Sequence, residues 1–174
     1  MPRCFVGLWP DPAARAALGA LALRVQQEHP GAKPLAPADL HLTLAFLGAI
    51  DPSQAAQAAA ALAALSVEPF TWTIDRLGAF AGPRVGWAAG PPDAALEALA
   101  AGVRATLQAH QLPFDQQPFR AHVTLLRGVR GALQGGIAPA ILWPVHRPVL
   151  IESLVDAPAS SVTHRVRYRT WPAP

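Results

Sequence analysis

The sequence predicts an α+β fold with the element order β-α-β-α-β-β-α-β-β-β. Three observations support this prediction. The chain has apolar and alternating runs that are typical of strands, and three helical segments that begin near an aspartate. A tetrapeptide of the pattern His-x-Thr-Leu also occurs twice, almost half of the chain apart. Several strands follow one another without an intervening helix. This order indicates antiparallel pairing and distinguishes the chain from α/β folds with a parallel sheet.

The first half of the chain contains two helices that both start at an Asp-Pro pair. Asp11 and Asp51 have the side chain of a helix N-cap, and the proline after each of them suits the first helical position. Apolar residues then recur at helical spacing in the first of these segments. The predicted elements are a strand at 3–9, a helix from Asp11 to about His29, a proline-bearing loop at 30–39, a strand at 40–47 and a helix from Asp51 to about Leu65.

The second half begins with a predicted hairpin and ends with two further strands. A Gly-Pro turn at 82–83 separates the two alternating runs of the hairpin. The predicted elements are strands at 69–77 and 84–89, a helix from Pro91 to about His110, a strand at 120–126, a loop or short helix at 131–144 and strands at 146–155 and 163–171. No Gly/Ser-rich linker divides the chain, so we expect one domain over residues 1–174.

The composition restricts the class of protein. The chain has 174 residues, of which 52% are hydrophobic and 14% charged, which argues against disorder. The net charge of +3 favours an anionic partner such as nucleic acid. Cys4 lies in an apolar run and has no second cysteine to pair with, so we expect a buried thiol in a reducing compartment.

The same composition carries expectations about location. The N-terminal residues lack the long apolar segment of a signal peptide, and no stretch is long and apolar enough to cross a membrane. We therefore expect a cytoplasmic protein without a membrane partner. We also expect a monomer, although no sequence pattern bears on the oligomeric state.

The repeated tetrapeptide carries the candidate chemistry. Residues 41–44 are His-Leu-Thr-Leu and residues 122–125 are His-Val-Thr-Leu. In a strand, residues i and i+2 point to the same side, so each histidine shares a face with its threonine while the apolar pair faces the core. The repeat predicts two related halves that each contribute one strand to a shared centre. The alternative is that both are structural histidines paired with nearby polar groups.

Two imidazoles that face one cleft can cleave a phosphodiester without a metal ion. One ring takes a proton from the attacking oxygen and the other gives a proton to the leaving oxygen, and the ordinary histidine pKa of about 6.5 suits both tasks. The hydroxyls of Thr43 and Thr124 can bind the phosphate oxygens. We find no spacing typical of a metal site, a serine-hydrolase elbow or a nucleotide-binding loop, so no metal or other cofactor is expected.

These tetrapeptides resemble the paired His-x-Thr/Ser-hydrophobic motifs of the 2H phosphoesterase superfamily. The longer strings LHLTLAFLG at 40–48 and HVTLLR at 122–127, with the opening RCFVGLW at 3–9 and the late strand VLIESLV at 149–155, are similar to the RNA 2′,3′-cyclic phosphodiesterase branch, also called 2′-5′ RNA ligase. The likeness extends over nearly the whole chain and keeps the order of the elements.

The resemblance implies a bilobal pseudo-twofold fold, with two antiparallel-rich sheets flanked by helices around a central cleft. It implies hydrolysis of a terminal 2′,3′-cyclic phosphate to a 2′-phosphate, on RNA ends or nucleoside 2′,3′-cyclic phosphates, with 2′-5′ ligation as the reverse reaction. His41 would be the proton donor and His122 the proton acceptor, although the near-symmetry of the two halves leaves this assignment open. The implied phosphate ligands are Thr43 and Thr124, and the candidate RNA or phosphate contacts are Arg127, Arg130 and Phe46.

One departure from the family pattern concerns a tyrosine near the end. The branch often has a tyrosine where this chain carries His164, with Tyr168 nearby. If that tyrosine shapes the substrate pocket, base preference is open in this chain. A second interpretation of the whole chain is a module that binds RNA or nucleotides in the same cleft with little catalysis.

Overall fold

The computed structural model describes residues 1–155 and 166–171, and these residues form three helices and nine strands. The helices are α1 (Pro12–Glu28), α2 (Pro52–Ala64) and α3 (Ala94–Ala109), with a 3-10 turn at Pro37–Asp39. The strands are β1 (Arg3–Leu8), β2 (Lys33–Pro34), β3 (Leu42–Ala49), β4 (Phe70–Phe80), β5 (Val85–Ala89), β6 (Val123–Arg127), β7 (Gly135–Val145), β8 (Val149–Val155) and β9 (Val166–Thr170). The predicted α+β class is confirmed.

The helix starts follow the predicted capping pattern. The Asp11 carboxylate accepts hydrogen bonds from the backbone N–H groups of Ala13 and Ala14. Asp51 accepts from the Gln54 N–H while the Gln54 side chain accepts from the Asp51 N–H, which completes a capping box. These bonds satisfy backbone donors that have no partner inside a helix, and therefore fix where α1 and α2 begin.

The strands pair antiparallel in the order β7-β4-β5-β6-β3-β1-β8-β9, with β2 added beside β6. Four strands, β7-β4-β5-β6, form one half, and β3-β1-β8-β9 form the other. The halves meet at one register pair, Leu42 with Val123, in the middle of the path. The two tetrapeptide strands β3 and β6 are therefore the neighbours at the centre, as the internal repeat predicts.

One hydrophobic core lies between the sheet and the helices. α1 contacts β6 and β7, whereas α3 contacts β3 and α2 contacts β8. The apolar residues of both tetrapeptides belong to this core, and each is at most 1% exposed: Leu42, Leu44, Val123 and Leu125. Cys4 is buried in the same cluster, and burial, with the nearby charge of Glu152, raises the pKa of its thiol to about 11. No described helix is long and apolar enough to cross a membrane.

The structure corrects the prediction of a loop or short helix for residues 131–144. Gly135–Val145 form the strand β7, which pairs with β4 alone and lies at one edge of the sheet. Pro139 and Pro144 lie within it. A proline lacks the backbone N–H that a central strand needs, but an edge strand tolerates it. The prolines and glycines therefore made this segment resemble a loop in the sequence, although an edge strand tolerates them.

Candidate active site

The two histidines lie directly before the central strands, not inside them as predicted. β3 begins at Leu42 and β6 at Val123, so His41 and His122 each precede their strand by one residue. Since Leu42 and Val123 pair with each other, the histidines are brought to the same central position of the sheet. The two histidines and their threonines are half-buried, in contrast to the fully buried leucines and valine that alternate with them. The predicted separation into a polar and an apolar face is confirmed.

Each imidazole is held by the same kind of hydrogen bond. His41 Nδ1 lies 2.7 Å from the main-chain oxygen of Asp39, and His122 Nδ1 lies 2.7 Å from that of Arg120. A carbonyl oxygen only accepts, so Nδ1 must carry the hydrogen and donate it. In the neutral ring Nε2 is then the unprotonated nitrogen, so each ring has Nε2 available for a proton from a ligand.

Burial shifts both histidines toward the neutral form. It lowers the pKa of His41 to about 4; the hydrogen bond to Asp39 opposes this shift, whereas the positive charge of Arg127, and that of His122 when it is protonated, add to it. Burial also lowers the pKa of His122, and the hydrogen bond to Arg120 opposes it. Desolvation disfavours a charged imidazolium, which explains the direction of both shifts. Without a bound anion, both rings are neutral at pH 7.

Aromatic rings surround His41 more completely than His122. The His41 ring centroid lies 4.7 Å from Phe5, 6.0 Å from Trp9 and 4.5 Å from Tyr168. His122 meets Phe80 edge-on, with centroids 5.1 Å apart. The two halves are thus alike in the main-chain bond to each histidine and unlike in the side chains around it.

Both tetrapeptide strands carry an irregularity directly after the threonine. In the pairing of β3 with β1, Thr43 faces Gly7 and Ala45 faces Val6, so Leu44 has no partner. In the pairing of β6 with β5, Thr124 faces Trp87 and Leu126 faces Gly86, so Leu125 has none. A β-bulge of this kind redirects the side chains that follow it. Sequence alternation alone does not predict where the later residues of each strand point.

Two predicted contacts, Phe46 and Arg127, lie after these bulges in their strands. They occupy the same position in the two halves, five residues after the histidine. Phe46 is 36% exposed and lines a cavity together with Thr43 and His122. Arg127 is exposed, donates a hydrogen bond from Nη2 to the Tyr168 hydroxyl at 3.2 Å, and is close enough to His41 to lower its pKa. One half therefore presents a phenyl ring at this position and the other a guanidinium.

The threonine hydroxyls have free hydrogen-bonding capacity. Within the described part of the chain, neither Thr43 nor Thr124 uses its hydroxyl in a hydrogen bond with another residue. Gly7 permits the close approach of β1 beside Thr43, because a Cβ at that position would lie 2.8 Å from the Leu42 main-chain oxygen. Both hydroxyls are available to a ligand at the centre of the sheet.

A cavity of about 610 Å³ opens beside His122. It contains residues of both tetrapeptides, Thr43 from the first and His122 from the second. Its remaining wall combines aromatic, charged and polar side chains, among them Phe46, Phe80, Phe119, Arg104, Asp115 and Gln117. Small-molecule sites commonly have volumes of about 300–1,000 Å³, so the cavity has room for a nucleotide.

Some residues singled out in the sequence lie away from the tetrapeptides, and others were missed. Arg130 is exposed after β6 and forms no hydrogen bond or ion pair with any described residue. His164 lies outside the described residues.

Sequence reasoning did not identify Asp39 or the role of Tyr168, whose ring contacts His41. Two signals pointed to Tyr168: the tyrosine that the family pattern places near the end, and its being the chain's single tyrosine. Among the described residues, no group of three or more His, Cys, Asp and Glu is arranged to hold a metal ion.

Comparison with known sequences identifies similar proteins. A family model described as LigT-like phosphoesterase matches residues 8–87, which include the first tetrapeptide. An RNA 2′,3′-cyclic phosphodiesterase from Geobacillus stearothermophilus is 31% identical over 141 residues, which represent 76% of this chain and 40% of that protein. The chain thus spans about two fifths of the length of this curated relative.

Comparison with solved structures shows the same fold over nearly the whole chain. Escherichia coli LigT in its apo form matches with a TM-score of 0.79 and 25% identity, over 97% of this chain and 94% of LigT. LigT in complex with 3′-AMP matches with a TM-score of 0.77 and 26% identity, over 98% of this chain and 95% of LigT. The protein TT0787 of Thermus thermophilus matches with a TM-score of 0.77 and 27% identity, over 97% and 94%.

Proposed function

We propose that this chain, which belongs to the LigT-like phosphoesterases of the 2H superfamily, is a metal-independent RNA 2′,3′-cyclic phosphodiesterase. It hydrolyses a terminal 2′,3′-cyclic phosphate to a 2′-phosphate. The observation that carries the proposal is the matched pair of imidazoles before the paired residues Leu42 and Val123. Each donates its Nδ1 hydrogen to a main-chain oxygen and keeps Nε2 for the reaction. The Geobacillus stearothermophilus relative, an RNA 2′,3′-cyclic phosphodiesterase, is named for this reaction.

In the proposed reaction, His122 is the base and His41 the acid. Nε2 of His122 takes a proton from a water molecule as the water oxygen bonds to phosphorus. The bond from phosphorus to the 3′ oxygen breaks, and this oxygen takes a proton from Nε2 of His41. The products are a 3′-hydroxyl and a 2′-phosphate, so atoms and charges balance. Each proton transfer typically contributes about 10²–10⁴-fold to the rate.

The charge of Arg127 and the charge of the substrate act on the proposed acid, His41, in opposite directions. The charge of Arg127 lowers the pKa of His41, which makes its protonated form a stronger acid toward the leaving oxygen. For His41 to be protonated before the reaction, the bound substrate must raise its pKa again. The negative charge of the cyclic phosphate has that effect, since an anion beside an imidazole favours the charged ring.

The other predicted residues receive roles around the phosphate. We assign the hydroxyls of Thr43 and Thr124 to the non-bridging oxygens, where they steady the developing charge. Arg127 binds the same group by charge-assisted hydrogen bonds. Phe46 stacks on the terminal base, with Phe119 as a second ring of the same cavity. Arg130 contacts the RNA chain outside the cleft.

The substrate class is RNA ends or nucleoside 2′,3′-cyclic phosphates. Solved LigT structures are described as complexes with 3′-AMP and with ATP, and this agrees with a nucleotide ligand here. Ligation, in which a 5′-hydroxyl replaces water as the nucleophile, would use the same two rings and give a 2′-5′ linkage. Both tetrapeptides belong to one chain, so we propose that a monomer is sufficient.

The decisive experiment is turnover of adenosine 2′,3′-cyclic phosphate in the presence of EDTA, with the product isomer identified by chromatography. We expect adenosine 2′-phosphate at an unchanged rate when EDTA is added. No turnover, or turnover abolished by EDTA, would contradict the proposal. His41→Ala and His122→Ala distinguish it from a module that only binds nucleotides. For an enzyme they lower turnover by about 10²–10⁴-fold and retain binding, whereas a binding module has no turnover to lose.

A further inference from the structure

We propose that Tyr168 is a phosphate-binding residue of the His41 half of the cleft, where its hydroxyl donates a hydrogen bond to an oxygen of the terminal phosphate. Asp39 and Arg127 hold it in position. The inference rests on the proposed function, because it adds a residue to the same site.

The ring of Tyr168 lies beside His41. The two ring centroids are 4.5 Å apart at an interplanar angle of 65°, and the ring also meets Phe5 edge-on at 5.6 Å. Tyr168 belongs to β9, the outermost strand of the half that contains His41, and it is half-buried. The strand therefore brings a phenol to the histidine that is proposed to protonate the leaving oxygen.

Among the described residues, none accepts the hydroxyl hydrogen of Tyr168. Arg127 Nη2 donates to the Tyr168 oxygen at 3.2 Å, and a guanidinium has no acceptor, so the hydroxyl is the acceptor in this bond. A free O–H donor directly beside an exposed cation favours an anionic oxygen as its partner, since hydrogen bonds to charged groups are the stronger ones.

Asp39 links Tyr168 to His41. Its carboxylate oxygen Oδ1 accepts the backbone N–H of Tyr168 at 3.2 Å, and its main-chain oxygen accepts the Nδ1 hydrogen of His41 at 2.7 Å. The residue is 8% exposed, and the Tyr168 N–H gives its buried carboxylate a hydrogen-bond partner. Trp9 Nε1 donates to Thr170 Oγ1 at 3.0 Å, which gives the same strand a second hydrogen bond to the body of the protein.

In the part of the chain that the structure describes, the other half has no equivalent hydroxyl. At His122 the main-chain acceptor belongs to Arg120, and the ring beside the imidazole is Phe80, which has no polar group. The two halves therefore differ at the one position where a phenol meets the imidazole. This difference gives the bound phosphate a preferred orientation across a cleft that is otherwise nearly symmetric.

The test is Tyr168→Phe, which removes the hydroxyl and retains the ring against His41. We expect roughly tenfold weaker binding of adenosine 2′-phosphate by calorimetry and a similar increase in KM for adenosine 2′,3′-cyclic phosphate, because one hydrogen bond to a charged group is lost. The melting temperature should stay near that of the wild type. An affinity within twofold of the wild-type value would overturn the proposal.

Variants of Asp39 test the anchoring. Asp39→Asn keeps an oxygen that can accept the Tyr168 N–H and should bind close to wild type, whereas Asp39→Ala should reproduce the loss of Tyr168→Phe. Asp75→Asn is the control, because Asp75 is an exposed carboxylate that pairs with its neighbour Arg76. Equal binding by Asp39→Ala and wild type would refute the anchoring role. Failure of wild type to hydrolyse the cyclic substrate would contradict the proposed function instead, while the binding comparison would still decide the role of Tyr168.

Discussion

Leu42 pairs with Val123 in antiparallel register at the centre of the sheet, and each of them directly follows one of the two motif histidines. This single pair joins the two halves of the sheet. Because both residues are fully buried, their packing in the core fixes the main-chain position of the histidine that precedes each of them. The candidate site thus depends on the packing directly beneath it.

Replacing Leu42 should therefore destabilise the fold and the site together. We expect Leu42→Ala to lower the free energy of unfolding by about 2–5 kcal/mol, as is usual for a buried leucine, with an accompanying loss of activity. Urea denaturation measures the first effect. Leu142→Ala is the matched control, because Leu142 is 60% exposed and its truncation should change stability by less than about 0.5 kcal/mol. Similar losses in the two variants would contradict the role of the central pair.

The assignment of acid and base predicts different responses to the leaving group. With sulfur in place of the 3′ oxygen, the leaving thiolate needs no proton. His41→Ala should then lose much less activity on the sulfur substrate than on the oxygen substrate, whereas His122→Ala should lose about 10²–10⁴-fold on both. Initial rates on both substrates measure this difference.

The exposed His146 provides the control for these histidine variants, and His146→Ala should leave both rates unchanged. If His122→Ala, and not His41→Ala, were rescued by the sulfur substrate, the two roles would be reversed.

The threonine hydroxyls should contribute mainly to transition-state binding. We expect Thr43→Ala and Thr124→Ala each to lower kcat/KM roughly 10–100-fold, because a donor to the developing charge is removed. Thr→Ser at the same positions retains the hydroxyl and should restore most of the activity. Steady-state kinetics with adenosine 2′,3′-cyclic phosphate gives the comparison, and a serine variant as impaired as the alanine variant would argue against a hydroxyl contact.

The low pKa of His41 predicts a loss of stability in acid. The folded protein resists protonation of this ring down to a pKa of about 4, whereas the unfolded chain takes up the proton near the ordinary value of 6.5. The unfolded state therefore binds more protons between these values, and stability falls as the pH falls from about 6.5 to about 4. The shift corresponds to at most about 3 kcal/mol of the free energy of unfolding, and solvent screening at the half-buried ring reduces this contribution.

This pH dependence can be measured by urea denaturation at several pH values between 4 and 7. His41→Gln removes one of the two histidines whose pKa is lowered and should reduce the slope, whereas His146→Ala should keep the slope of the wild type. A His41→Gln variant with the full wild-type slope would show that other groups cause the acid sensitivity.

The sequence by itself determined the features that depend on local chemistry. The aspartates at 11 and 51 predicted the starts of two helices, and the alternation of polar and apolar residues in the tetrapeptides predicted which side chains enter the core. The repeat predicted that the two halves meet at a shared centre. These features follow from side chains acting on their own backbone or on the nearest face, so they can be inferred without a partner strand.

The tertiary structure decided what depends on residues far apart in the chain. The edge position of β7 made its prolines acceptable, and the bulges at Leu44 and Leu125 arise from pairing with β1 and β5. Tyr168 reaches His41 because β9 packs beside β8, more than a hundred residues after Asp39 in the chain. Pairing register and strand order are properties of the assembled sheet, and no local pattern encodes them.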